Sequence, residues 1–354
     1  MRIQTTDHHL IHLALIIGSL ATVIILLSGC AAATLAPSST LAAEPTPIPP
    51  TLTVASLVVQ TNAVAPSIGK LMFATHRDLS DAHPTDFTFE AGPEAMYLSF
   101  DYANVPADAT FQLQLIRGNY AVVTQTLPWT GNLSGTLTQL ISDDPRALVP
   151  GRYIVNIMLD RAKAKGFFNI SETSALPGAR LLTENFQDNL LGWGLQSDAD
   201  GIAVIADGRL QLNTKSTRGV ASASIPIGLS DFDLTVDMQF EVGPPLAEST
   251  IDLRGDYWFT LYANGSFEVD SVSGGFKPLI PIQRSAAIKP FGETNHLQVI
   301  ARGDTFTFYI NDTLVGTLKD VQSNRGYIGF VVHDLAQSQL ASASFSNLVI
   351  TLPK

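Results

Sequence analysis

The chain has 354 residues, 45% of them hydrophobic and 15% charged, with a formal net charge of −11. That acidity, with no basic stripe anywhere, argues against a nucleic-acid-binding surface. One cysteine rules out an internal disulfide framework, so each folded region must bury enough apolar surface unaided.

Residues 1–12, MRIQTTDHHLIH, are a short polar start, and residues 13–27, LALIIGSLATVIILL, run on without charge. Such a run fits a signal-peptide core or a short membrane helix. The residues that follow, Leu27-Ser28-Gly29-Cys30, resemble the lipobox of bacterial lipoproteins. The resemblance implies a signal peptide over 1–29, cleavage before Cys30, and diacylglycerol on the Cys30 thiol. It places the mature chain on the bilayer surface of a bacterial envelope, outside the cytoplasm. Residues 30–65 hold five prolines and one charge, and EPTPIPP stiffens them toward polyproline II, so they read as a tether.

Two β-rich regions follow, expected over 66–178 and 179–354. In the first, MYLSFDY (96–102), TFQLQLI (110–116) and YIVNIML (153–159) alternate apolar and polar residues. Period 2 predicts half-buried strands, and apolar faces of this kind pack into a sandwich. An immunoglobulin-like topology is one option, although the Cys-Trp-Cys core pattern is absent. In the second region, DFDLTVDMQF (231–240) sets five apolar residues against a face with three carboxylates. Further strands are predicted in 257–272, 296–303, 305–310, 313–318, 326–332 and 342–351. Asn264-Gly265 and Asn311-Asp312 fit tight turns with positive φ. The fold class is therefore all-β, with two β-sandwich domains.

The order NHLQVIARGDTFTFYINDTLVGTLKD, GYIGFVV and SFSNLVI resembles the concanavalin A-like, laminin G-like jelly rolls. More closely it is similar to the bacterial 3-keto-disaccharide hydrolase domain. Phe186-Gln187-Asp188 with Gly192-Trp193, Arg254 before Asp256-Tyr257-Trp258-Phe259, and Gly265, Asn295, Asn311, Gly316, Asp320, Gly326 and Gly329 carry the likeness. It spans about 180–352 and implies a jelly roll whose glycan-facing surface is a sheet and its rim.

No metal-binding histidine spacing, nucleophile elbow or phosphate loop is present. Concanavalin-like glycosidases cluster their acids as E-x-D-x-x-E on one strand, and this chain lacks that cluster, so no catalytic residue is assigned. Glu268 and Asp270 share a strand face and are expected to be solvated. His333-Asp334 are expected in a loop, and Trp193 in the core. The strongest ligand-binding candidates are Asp252, Arg254, Asp256, Tyr257, Trp258 and Tyr262, an aromatic, basic and acidic mixture suited to sugar faces and hydroxyls. Alternation places either Tyr257 and Phe259, or Trp258 and Tyr262, on the exposed side. Asp198 and Asp200 offer two oxygen ligands toward calcium, a fragment of a coordination loop; no other cofactor is expected. The leading expectation is a lipid-anchored binding protein for carbohydrate or another envelope polymer. A glycoside or 3-keto-disaccharide hydrolase, and a structural or protein-adhesion module with an unidentified partner, are the alternatives.

Overall fold

A computed structural model describes residues 64–319 and 323–354. The expected signal peptide, Cys30, nearly all of the tether, and Asp320 lie outside the described residues. Among the described residues every regular element is a strand, and Ala65–Lys354 pack as one compact unit.

The first ten strands are β1 Ser67–Ile68, β2 Met72–Ala74, β3 His83–Pro84, β4 Phe87–Phe89 and β5 Met96–Ala103. They continue as β6 Thr110–Arg117, β7 Tyr120–Pro128, β8 Gly135–Ser142, β9 Gly151–Leu159 and β10 Ala162–Ile170. One sheet joins β1, β2, β3 and β8 around β5, and the other runs β4-β10-β9-β6-β7. The alternation in β5 does what period 2 requires: Met96, Leu98, Phe100 and Tyr102 all turn into the core, facing Phe111, Leu113, Leu115, Tyr153 and Val155 from the opposite sheet.

Two features set the topology of this sandwich. The early strand β4 crosses to the second sheet and pairs with β10 in parallel. Tyr153, buried near the start of β9, donates its hydroxyl to the Val149 carbonyl at 2.6 Å. That bond closes a tyrosine corner. Burial pushes the Tyr153 phenol up to about 12, so it stays a donor.

The remaining strands are β11 Arg180–Glu184, β12 Gly194–Leu195, β13 Gly201–Ala206, β14 Arg209–Thr214 and β15 Val220–Leu229. Then come β16 Phe232–Val242, β17 Ala247–Leu253, β18 Tyr257–Tyr262, β19 Ser266–Ser271 and β20 Lys277–Arg284. The chain closes with β21 Asn295–Arg302, β22 Thr305–Ile310, β23 Thr313–Lys319, β24 Gly326–Asp334 and β25 Ser342–Thr351. An eight-stranded sheet runs β13-β14-β25-β16-β21-β22-β23, with β11 also on β25. It packs on a seven-stranded sheet ordered β12-β15-β24-β17-β18-β19-β20. This is a concanavalin A-like jelly roll. Phe232, Leu234, Val236, Met238 and Phe240 line its core, as their alternation predicts.

Trp193 is 2% exposed and donates Nε1–H to the buried Glu184 at 3.0 Å, whose other oxygen accepts the Phe186 N–H at 2.8 Å. Burial raises the Glu184 pKa and those two donors oppose it. At Ile310–Thr313, Asn311 and Asp312 adopt φ of 48° and 64°, the left-handed pair that a tight hairpin demands. The two sandwiches meet at named contacts. Arg117 donates to the Leu191 carbonyl, Arg146 pairs with Asp188 at 3.0 Å, and Arg325 pairs with Glu172 at 3.1 Å.

Candidate functional site

Strand register assembles a polar surface on the seven-stranded sheet, on the side away from the apolar core. Residues directly opposite on neighbouring strands share a face. One row across the sheet reads Ser224, Gly329, Asp252, Trp258, Asp270. The next reads Ser222, Val331, Thr250, Thr260, Glu268, and the third Val220, His333, Glu248, Tyr262. Four carboxyl groups, a histidine, a tyrosine and a tryptophan thus converge from β17, β18, β19 and β24.

Contacts tie the rows together. His333 Nδ1 lies 2.7 Å from Glu248 Oε2, with both side chains under a tenth exposed. Tyr262 donates its hydroxyl to Glu268 Oε1, and the Thr250 and Thr260 hydroxyls are 2.8 Å apart. Trp258 is half-buried and meets Phe276 edge-on, with ring centroids 5.0 Å apart. Gly329 keeps the floor low beside Asp252: a β-carbon there would come within 3.5 Å of the side chains of Asp252 and Ser224.

This setting moves the acids. Burial, helped by the charge of Asp256, pushes Asp252 up to about 7 against hydrogen bonds from Tyr327 and Trp258. Its Oδ1 is buried without a hydrogen-bond partner. Burial and the charges of Glu268 and Glu248 push Asp270 up to about 7 as well. Burial and the same two glutamates raise the Tyr262 phenol, which therefore stays protonated. Two strand spacings separate the Asp252 and Asp270 α-carbons, about 10 Å, with Trp258 between them. The face can offer carboxylic acid donors, carboxylate acceptors and an aromatic plate within one short reach.

The six predicted ligand-binding residues divide. Asp252, Trp258 and Tyr262 share the polar face. Arg254 and Tyr257 turn inward, which corrects the expectation that they meet a ligand. Tyr257 is fully buried against Phe306, with centroids 4.8 Å apart, and its hydroxyl accepts the Ser323 N–H. The side chain of Arg254 is 0% exposed. It donates through Nε and Nη2 to the Ser230 carbonyl and through Nη1 to those of Gly303 and Ser323, both at 2.9 Å. Its guanidinium also sits 4.8 Å from the Phe306 ring centroid. Arg254 is a clasp for three loops. Asp256 lies in the turn behind it and acts on the site through its charge.

Other expectations are corrected too. Asp270 and Glu268 do not share a solvated face: Asp270 is 8% exposed and Glu268 is closed on Tyr262. His333 belongs to β24, not to a loop after it. Asp198, proposed toward calcium, spends Oδ1 on the N–H groups of Asp200 and Gly201 and both oxygens on Gln196, so it caps its own turn. Asp200 contributes its carbonyl to Lys215. Among the described residues, no three histidine, cysteine or carboxylate side chains are placed to hold a metal ion. Sequence reasoning missed Glu248, Thr250 and Thr260. The available signal was polar and acidic side chains on one face of three successive strands, with acids in ESTID and SFEVD flanking YWFTLY, whose register brings them level.

The fold and the face define a jelly-roll domain with an acid-lined sheet. Residues 182–351 match the model of the 3-keto-alpha-glucoside-1,2-lyase-like domain family. No curated protein matches the chain. Among solved structures, a CBM66 carbohydrate-binding module from Bacillus subtilis is similar at 21% identity, covering 45% of this chain and 95% of that one, with a TM-score of 0.37. A Bacillus subtilis protein with a galectin-like fold aligns at 14% identity over 51% of this chain and 99% of that one, TM-score 0.41. A Clostridium perfringens endo-β-galactosidase that releases GlcNAcα1-4Gal aligns at 5% identity over 49% of this chain and 62% of that one, TM-score 0.38.

Proposed function

We propose that this protein binds a saccharide on the polar face of its seven-stranded sheet. The observation that carries the reading is the row Asp252, Trp258, Asp270. An indole plate stands between two buried acids, the mixture that packs the C–H face of a sugar ring while gripping its hydroxyls. Near neutral pH the two acids act as both hydrogen-bond donors and acceptors, which suits hydroxyls that are themselves both. The family matched by residues 182–351 supports a carbohydrate ligand. Calorimetry of the full-length protein against neutral oligosaccharides tests it. Trp258→Ala is expected to weaken binding at least about tenfold; no saturable binding by the wild type, or an unaffected variant, would sink the reading.

A second reading is acid–base cleavage of a glycoside, or of its 3-keto form as the family description suggests. Two acids held near 7 on one face favour it, because a group poised near the working pH can both take and give a proton. A carboxylate would take the proton from the carbon beside the keto group. The protonated acid would then give its own proton to the departing glycosidic oxygen. Product formation from a 3-keto-glucoside, followed by NMR and lost in Asp270→Asn, is the expected result; background rates with wild-type protein would remove this reading alone.

Cys30 would carry the lipid that holds the chain outside the cytoplasm, with residues 30–65 as tether and the first sandwich as spacer. Cys30→Ser is expected to move the protein from the membrane fraction to the soluble one. Equal partitioning of the two forms would refute the anchor.

A further inference from the structure

A cavity of about 490 Å³ opens at one end of the seven-stranded sheet, lined by Asn264, Gly265, Arg284, Lys289 and Phe291 among others. Arg284 pairs in register with Ser266, which lies on the same side of β19 as Glu268 and Asp270. Its side chain therefore emerges on the polar face. Arg284 is exposed and has no ion-pair partner among the described residues. Lys289 donates Nζ only to the Thr294 carbonyl, at 3.1 Å. Both cations thus line one cavity with no acidic side chain among the described residues paired to either.

The cavity is built in advance of any ligand. Asn295, 1% exposed, accepts the Lys289 N–H at 2.8 Å and is itself held by Asn311 Nδ2 at 2.8 Å. The same Asn311 amide donates to the Ala287 carbonyl at 2.7 Å, and Gln239 donates to that of Gly292 at 2.8 Å. On the other wall Ser285 donates its N–H to the Gly265 carbonyl at 3.1 Å. Phe291 stacks on Phe240 with centroids 6.3 Å apart, yet stays 47% exposed toward the opening. A loop nailed down in this way holds its cations in place at little entropic cost when a ligand arrives.

We infer that this cavity takes the anionic group, a carboxylate or a sulfate ester, of an acidic oligosaccharide whose uncharged part lies along Trp258. Guanidinium and ammonium groups match such oxygens through charge-assisted hydrogen bonds. From Trp258 to Tyr262 the strand runs about 13 Å, and the turn at Asn264 that lines the cavity follows directly, within the reach of a short oligosaccharide. The inference rests on the saccharide reading and adds the class of sugar.

The test titrates full-length protein with a glucuronate-terminated trisaccharide, its uncharged methyl ester and a sulfated trisaccharide. At least one charged sugar is expected to bind about tenfold tighter than the ester. The double variant Arg284→Gln/Lys289→Gln should erase that margin and leave the ester unaffected. An ester bound as tightly as both charged sugars overturns the anion site while leaving saccharide binding intact. So does a double variant that weakens all three equally. Failure of every sugar to bind removes both proposals. Charged sugars that bind through Arg284 and Lys289 but ignore Trp258→Ala would keep the anion site and displace the reading centred on Trp258.

Discussion

His333 and Glu248 face each other across β24 and β17 with 2.7 Å between Nδ1 and Oε2, enclosed on both sides. A pair at this depth is coupled, because each group has been taken out of water and answers to the other. A double-mutant cycle with Glu248→Gln and His333→Asn, followed by urea denaturation, is expected to give a coupling energy of about 1–3 kcal/mol. A value near zero would mean that the two side chains are neighbours only.

Stability should fall between about pH 4 and 7. Asp252 and Asp270 have an ordinary value of 3.8 and a folded value of about 7. Between those values the folded protein holds protons that the unfolded chain has released. Their contribution is therefore complete below the unfolded value and is lost as pH rises through the folded one. Denaturation midpoints should drop from pH 5 to pH 8, and Asp252→Asn and Asp270→Asn should each flatten the slope and stabilise at pH 8 by about 1 kcal/mol or more. A slope unchanged in both variants would assign the effect elsewhere.

Arg254→Met should cost about 3–5 kcal/mol, since it strands the carbonyls of Ser230, Gly303 and Ser323 that the guanidinium now serves. Arg254→Lys should recover only part of that, because one ammonium cannot span the positions a planar fork reaches. Thermal or urea unfolding measures both. Full stability with lysine would show that charge alone is required.

Gly326 and Gly265 should behave differently when changed to alanine. A methyl at Gly326 would stand 2.0 Å from the Arg254 carbonyl oxygen, a clash with backbone that predicts a loss of about 3 kcal/mol or more. At Gly265 nothing lies within 4 Å, and only the φ of 83° is strained, so about 1 kcal/mol is expected. Equal losses at the two sites would contradict the packing at the clasp.

Alternation located part of the strands, among them Met96–Ala103 and Phe232–Val242 with their inward faces, and turn chemistry marked Asn311-Asp312, while β17, which carries Glu248 and Asp252, was not predicted. Period 2 and positive φ are local properties of the chain. It also brought Asp252, Trp258 and Tyr262 under suspicion. Tertiary structure decided the rest. Arg254 is as polar in sequence as any ligand donor, yet three loops distant in the chain supply carbonyls that draw it inward. Glu248 and Asp252 lie on β17 and Glu268 and Asp270 on β19, and only register sets them level across β18 and makes Asp252 and Asp270 dry enough to hold protons near neutral pH. Register is fixed by pairing between segments and by the core beneath them, so no single strand carries it.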